Sequence, residues 1–128
     1  MNRIDKLFVA KRAEKKTALV IFLTAGYPDL PTSVDLAVAA LEAGADMIEF
    51  GIPFSDPLAD GPTIQRSSML ALEHGATLDR VLDATREFRL RSQAPMIYMG
   101  AYNPLFHRGT ANAVRMCREA GADGFILP

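Results

Sequence analysis

The stretch "EAGADMIEF" beginning at Glu42 returns as "EAGADGFIL" beginning at Glu119, and each copy runs from a helix end through a glycine into an apolar strand. A glycine at such a junction takes the left-handed backbone that closes a helix. Self-similarity of this kind implies a repeating architecture. A chain that alternates strands and helices across short connections is driven towards a parallel sheet covered by helices.

The remaining elements fit that alternation. Asn2 can cap a short peripheral first helix, with Asp5 at its third position and Ile4, Leu7 and Phe8 as its apolar stripe. "ALVIFLTAG", ended by Gly26, is a continuous apolar run and reads as a first strand buried on both faces. Pro31 sits at a helix start, and Val34, Ala37, Val38 and Leu41 recur at helical spacing before Gly44. "DMIEFG" is the second strand; a long loop and a helix from about Pro62 to His74, closed by Gly75, follow it. Thr77 caps the next helix, which turns Leu78, Val81, Leu82, Thr85 and Phe88 inward. "PMIYMG" is a third strand, Thr110 to Ala120 a helix, and "GFILP" the start of a fourth strand.

Regular units favour a (β/α) barrel over an open doubly wound sheet. A closed barrel takes eight units and about 250 residues. This chain of 128 residues is expected to be an α/β fold of the (β/α)8 TIM-barrel type, truncated to about three and a half βα units with an N-terminal helix. Residues 1–128 are read as a single partial domain, about half of a longer protein.

Composition narrows the function classes. With 49% hydrophobic and 23% charged residues the chain is globular, and a net charge of -1 leaves no basic face for nucleic acid or an anionic membrane. No run approaches the roughly 18 apolar residues of a membrane span. A lone Cys117 can neither staple a fold nor build a metal cluster, which favours a reducing, cytoplasmic setting. The basic, amphipathic start carries Asp5 and Glu14, which do not suit a transit sequence.

The chemistry concentrates in "IEFGIPFSDPLADG", residues 48 to 61. Strand alternation directs Ile48 and Phe50 towards the helices and Glu49 into a barrel interior, near the strand end where such barrels place catalytic groups. A carboxylate there loses hydration, its pKa rises, and general acid and base work near neutral pH comes within reach. The structural alternative is an ion pair with a buried Lys or Arg. Asp56 and Asp60 lie in a Pro-rich and Gly-rich loop where Asp commonly caps its own turn, and on chemistry alone that reading is the stronger for both. Position favours Asp60, because it follows the same strand as Glu49 and two acids facing one pocket can divide a reaction.

"IEFGIPFSDPLADGPTIQ" resembles the signature segment of the tryptophan synthase alpha chain family, and "FLTAGYPD" and "MGAYNPLF" extend the likeness over essentially the whole chain. The resemblance implies a (β/α)8 barrel that cleaves indole-3-glycerol phosphate by a retro-aldol reaction, without a cofactor or metal, to indole and glyceraldehyde 3-phosphate. It implies Glu49 as the general acid/base and Asp60 as the partner of the indole N–H, with Phe22 and Tyr102 lining the indole pocket. Phe22 has an equal reading as strand packing, and Tyr102 as a rim aromatic. By the same resemblance, Pro53, Asp56, Asn103 and Pro104 lie on surfaces that meet the beta chain, as in an alpha2-beta2 tetramer. The later loops that hold the substrate phosphate in that family have no counterpart here, and no Gly-rich phosphate loop replaces them. The competing function is a non-catalytic half-barrel association module that pairs with itself or with a beta chain.

Other residues have plainer readings. His74 is a helix C-cap, His107 a solvated loop residue, Met96 and Met99 core filler, and "REFRLR" from Arg86 to Arg91 the solvated face of a helix.

Overall fold

The computed structural model describes residues 1–128. Its elements are α1 (Arg3–Glu14), β1 (Val20–Thr24), α2 (Leu30–Glu42), β2 (Met47–Gly51), α3 (Pro62–Glu73), α4 (Leu78–Arg91), β3 (Met96–Met99), α5 (Asn103–His107), α6 (Thr110–Ala120) and β4 (Gly124–Ile126). The four strands form one parallel sheet in chain order, β1-β2-β3-β4, which is half of the ring of a (β/α)8 barrel. No helix is long and apolar enough to cross a membrane.

Local chemistry accounts for most boundaries. Asn2 Oδ1 accepts from the Asp5 N–H at 2.8 Å, and Thr77 Oγ1 accepts from the Arg80 N–H at 3.3 Å, as the sequence predicts. Asp29 caps α2 in the same way, accepting from the Thr32 N–H at 2.8 Å, and Pro31 follows in the first turn. Gly44 (φ 114°) and Gly121 (φ 110°) close the two repeats in the left-handed region. Asn103 and Pro104 begin a short helix, α5, that the sequence reading did not assign, with Pro104 in its first turn.

The core lies between one face of the sheet and the helices. Ile48, Phe50, Met96 and Tyr98 are fully buried there against Val34 and Ala37 of α2, Val81, Leu82 and Phe88 of α4, and Ala113 and Cys117 of α6. Each such aliphatic or aromatic side chain contributes about 1.5–3 kcal/mol when buried. The Thr85 hydroxyl donates to the Val81 carbonyl at 2.9 Å and accepts from the Tyr98 hydroxyl at 2.5 Å, so the phenol enters the core with its proton satisfied. Burial pushes the Cys117 thiol up to about 11, which leaves it a packing residue.

Two expectations need correction. Strand β1 is not buried on both faces: Val20 is exposed and Ile21, Phe22 and Leu23 are half-buried, because β1 has a neighbour on one side only. Helix α1 is peripheral, as expected: none of its residues is buried, and charge pins it to the rest of the chain. Lys11 Nζ lies 2.7 Å from Asp46 Oδ1, and Arg3 Nη1 lies 2.9 Å from Asp123 Oδ1. The "REFRLR" stretch is not uniformly solvated: Arg89 turns in to bond the Gly121 and Ala94 carbonyls and pairs with Asp123 Oδ2 at 2.8 Å.

Those two aspartates are the matching residues of the repeat. The Asp46 N–H donates to the Leu19 carbonyl at 2.8 Å while the Leu19 N–H donates back to the Asp46 carboxylate at 2.8 Å. Asp123 repeats the exchange with Met96, at 2.8 Å and 2.9 Å. Each repeat thus latches the start of its strand to the start of the strand before it.

Candidate functional site

Parallel register puts Phe22 of β1, Glu49 of β2 and Ile97 of β3 in one row. Side chains alternate along each strand, so Thr24, Gly51 and Met99 share that face, opposite the helix-covered Ile48 and Phe50. Glu49 therefore projects from the face that a barrel turns towards its axis. It sits at the centre of β2 rather than at its end, and Phe22 likewise at the centre of β1.

Glu49 is half-buried, and burial alone pushes its carboxyl above the ordinary carboxylate range. No Lys or Arg pairs with it; the ion pairs of the chain fall on Glu14, Asp35, Asp46, Asp79, Asp83, Glu119 and Asp123. Within this chain the ion-pair alternative finds no partner for Glu49. What remains is an acid with reduced hydration and no fixed partner.

Above it, at the C-terminal ends of β1, β2 and β3, opens a cleft of about 300 Å³ lined by Phe22, Gly51, Asp60, Ile64, Met99 and Tyr102 among others. Asp56 and Asn103 also reach its wall. Glu49 does not: it lies two residues below Gly51 on the same face, at the floor side of the opening. The structure thus gathers Phe22, Asp56, Asp60 and Tyr102 around one space and sets Glu49 beneath it.

The loop acids behave differently from the turn-capping reading. The hydrogen bonds internal to the loop are backbone ones, Leu58 N–H to the Asp56 carbonyl at 2.9 Å and Asp60 N–H to the Pro57 carbonyl at 3.2 Å. Neither carboxylate takes part, so both remain free to meet a ligand or solvent. Pro53 is buried and Pro104 half-buried within the chain, while Asp56 and Asn103 are exposed. The Tyr102 hydroxyl lies 2.5 Å from Thr110 Oγ1 and its ring packs on Phe106 with centroids 5.9 Å apart, which holds the aromatic at the rim.

One contributor was missed. A Cβ on Gly51 would stand 2.6 Å from the Phe22 ring, so Gly51 lets that ring lie across the sheet under the cleft. A glycine ending a strand beside a candidate acid was the available signal. His74 is the C-cap residue of α3, and its Nδ1 lies 2.5 Å from the Pro28 carbonyl, tying the loop after β1 to this helix. His107 ends α5, exposed.

The family model described as "Tryptophan synthase alpha chain" matches residues 8–128. The tryptophan synthase alpha chain of Geotalea daltonii is 50% identical over 127 residues, covering 99% of this chain and 48% of that protein. That of Thermoanaerobacter sp. strain X514 is 45% identical over 128 residues, covering 100% of this chain and 49% of that protein. Among solved structures, tryptophan synthase subunit alpha from Legionella pneumophila superposes with a TM-score of 0.97 at 44% identity, over 99% of this chain and 49% of that one. A chain of tryptophan synthase from M. tuberculosis, in an aminoacrylate-bound form, superposes with a TM-score of 0.92 at 36% identity, over 100% of this chain and 52% of that one. The chain spans about half the length of the curated relatives it matches.

Proposed function

This chain belongs to the tryptophan synthase alpha chain family, and from that premise we propose that it supplies the acid/base half of a lyase that cleaves indole-3-glycerol phosphate to indole and glyceraldehyde 3-phosphate. The observation that carries the reading is Glu49, an unpaired carboxyl on the axial face of the sheet with a raised pKa, directly below a cleft walled by Phe22, Tyr102 and Asp60.

The chemistry needs two proton movements. A proton delivered to indole C3 makes the ring an electron sink; the C3–C bond to the glycerol chain then breaks, its electron pair returning to the indole. The hydroxyl on the departing carbon gives up its proton as the aldehyde forms. One carboxyl whose pKa lies nearer neutrality can give the first proton and take the second. Glu49 fills that role. Positive charge spreads to the indole N–H while C3 is protonated, and a carboxylate near it stabilises the transition state more than the substrate. Asp60 fills that one. Phe22 and Tyr102 offer flat apolar surfaces for the ring.

The exposed Asp56, Asn103 and Leu58 make the loop rim a surface for a tryptophan synthase beta chain, which takes up the indole, in a cytoplasmic biosynthetic complex. Pro53 and Pro104 would support that surface from beneath.

Indole release is the test. Free indole is neutral and extracts into an organic solvent while the charged indoleglycerol phosphate stays in water, so extraction separates product from substrate before it is measured. Release from indoleglycerol phosphate, alone or with beta chain added, that disappears in Glu49→Gln supports the reading. A folded, inactive dimer by size exclusion supports the association module instead.

A further inference from the structure

The carboxylate of Asp60 accepts no hydrogen bond from the protein, so its place over the cleft is set wholly by the backbone that carries it. That backbone is held from one side chain. Gln65, on the exposed face of α3, donates from Nε2 to the Asp60 carbonyl at 2.8 Å and lies 3.4 Å from the Pro57 carbonyl. No other side chain hydrogen-bonds to residues 53–60. Helix α3 is itself fixed: Thr24 Oγ1, at the end of β1, donates to Ser67 Oγ at 2.7 Å, Ser67 Oγ donates to the Ile64 carbonyl at 3.0 Å, and Ser68 and Ala71 are buried. Gln65 is therefore the link that carries the rigidity of the β1–α3 contact into the loop.

We propose that Gln65 is a positioning residue whose carboxamide clasps the Pro57 and Asp60 carbonyls and thereby holds the Asp60 carboxylate over the cleft. The proposal rests on the catalytic reading above for its consequence, though not for the clasp itself. A primary amide suits the task because its two N–H groups can serve two carbonyls at once. A carboxylate of the same length would set oxygen against oxygen. A thioether of the same length would offer no donor.

The test compares Gln65→Met and Gln65→Glu with the unaltered chain by two readouts. Amide hydrogen exchange at Leu58 and Asp60 is expected to rise about five- to tenfold in both variants, the loss of one net hydrogen bond opening the loop locally. Indole release is expected to fall about tenfold in kcat with KM nearly unchanged, as for a group that acts in the transition state. In an Asp60→Asn background Gln65→Met is expected to add less than about a twofold further loss, because both changes act on one group. Unchanged exchange at Leu58 and Asp60 overturns the clasp. Full multiplication of the two losses overturns its action through Asp60. A chain that releases no indole defeats the catalytic reading alone, and the exchange measurement then still decides the clasp.

Discussion

The acids at the two ends of this sheet live under opposite rules. At the N-terminal end, Asp46 and Asp123 are saturated: each accepts a backbone N–H from the neighbouring strand and pairs with cations of α1, Asp123 with Arg89 as well. In the middle and at the C-terminal end, Glu49, Asp56 and Asp60 have no cation and no N–H. On the function proposed above, the difference separates cohesion from chemistry. An acid that holds strands together has its lone pairs occupied, whereas one that is to exchange protons or meet a ligand must keep them free. Barrel folds divide their faces in this way, stability at the bottom and reactivity at the top.

The sharpest way to break the comparison is at its two extremes. Glu49→Gln is expected to lower indole release by about 10²–10⁴-fold, the range of a lost general acid or base. It should leave the urea midpoint unchanged or slightly higher, since no native contact is lost. A variant that unfolds but retains activity would reverse the roles assigned here. Asp123→Ala is expected to cost about 3–5 kcal/mol by urea denaturation, because the inward-turned Arg89 is left without its partner. Asp46→Ala, whose cation and N–H lie nearer solvent, should cost about 1–2 kcal/mol. Equal losses at the two sites would show that the latches, and not the burial of Arg89, set the cost.

The repeat allows a finer cut. Gly44 and Gly121 share the left-handed backbone, but a Cβ on Gly44 meets nothing within 4 Å, whereas one on Gly121 would stand 2.6 Å from Arg89 Cγ. Gly44→Ala should therefore cost about 1 kcal/mol and Gly121→Ala clearly more, about 2–3 kcal/mol, as the Arg89 side chain is displaced. Thermal or urea melts of the pair would resolve this.

Titration gives the smallest effect, and its sign distinguishes the two ends. Asp46 is held below the ordinary carboxylate range by Lys11 and by the Leu19 N–H, so its share of stability is present above the unfolded pKa and is lost as pH falls through the folded one. Glu49 is pushed the other way by burial. Its native form binds a proton more readily than its unfolded form, so stability declines as pH rises from the ordinary carboxylate value through the raised one. Stability against pH in Glu49→Gln should lose that decline, while Asp46→Asn should lose the acid-side drop. The same slope in both variants would contradict the contrast.

Much of this was legible before any coordinates. The apolar runs, the caps at Asn2 and Thr77, and the closing glycines Gly44 and Gly121 depend on periodicity and on backbone sterics within a few residues. The inward direction of Glu49 followed from alternation once Ile48 and Phe50 were recognised as core. Other features were out of reach because their partners lie far along the chain. Arg89 looked like one more charge on a solvated helix face, and only the return of β4 beside β3 brings Asp123 to it. Nothing local to α1 marks Arg3 and Lys11 as the residues that hold it, because the aspartates they pair with lie far along the chain.

Residue order alone determined the alternation of strands and helices, the parallel sheet they must form, and the candidacy of one acid within an apolar strand. These follow from local sterics and from the need to bury a single face of each element. Which acids are spent on cohesion and which are left free was decided by tertiary structure. A carboxylate's chemistry depends on the donors within about 3 Å of it, and here those donors come from opposite ends of the chain.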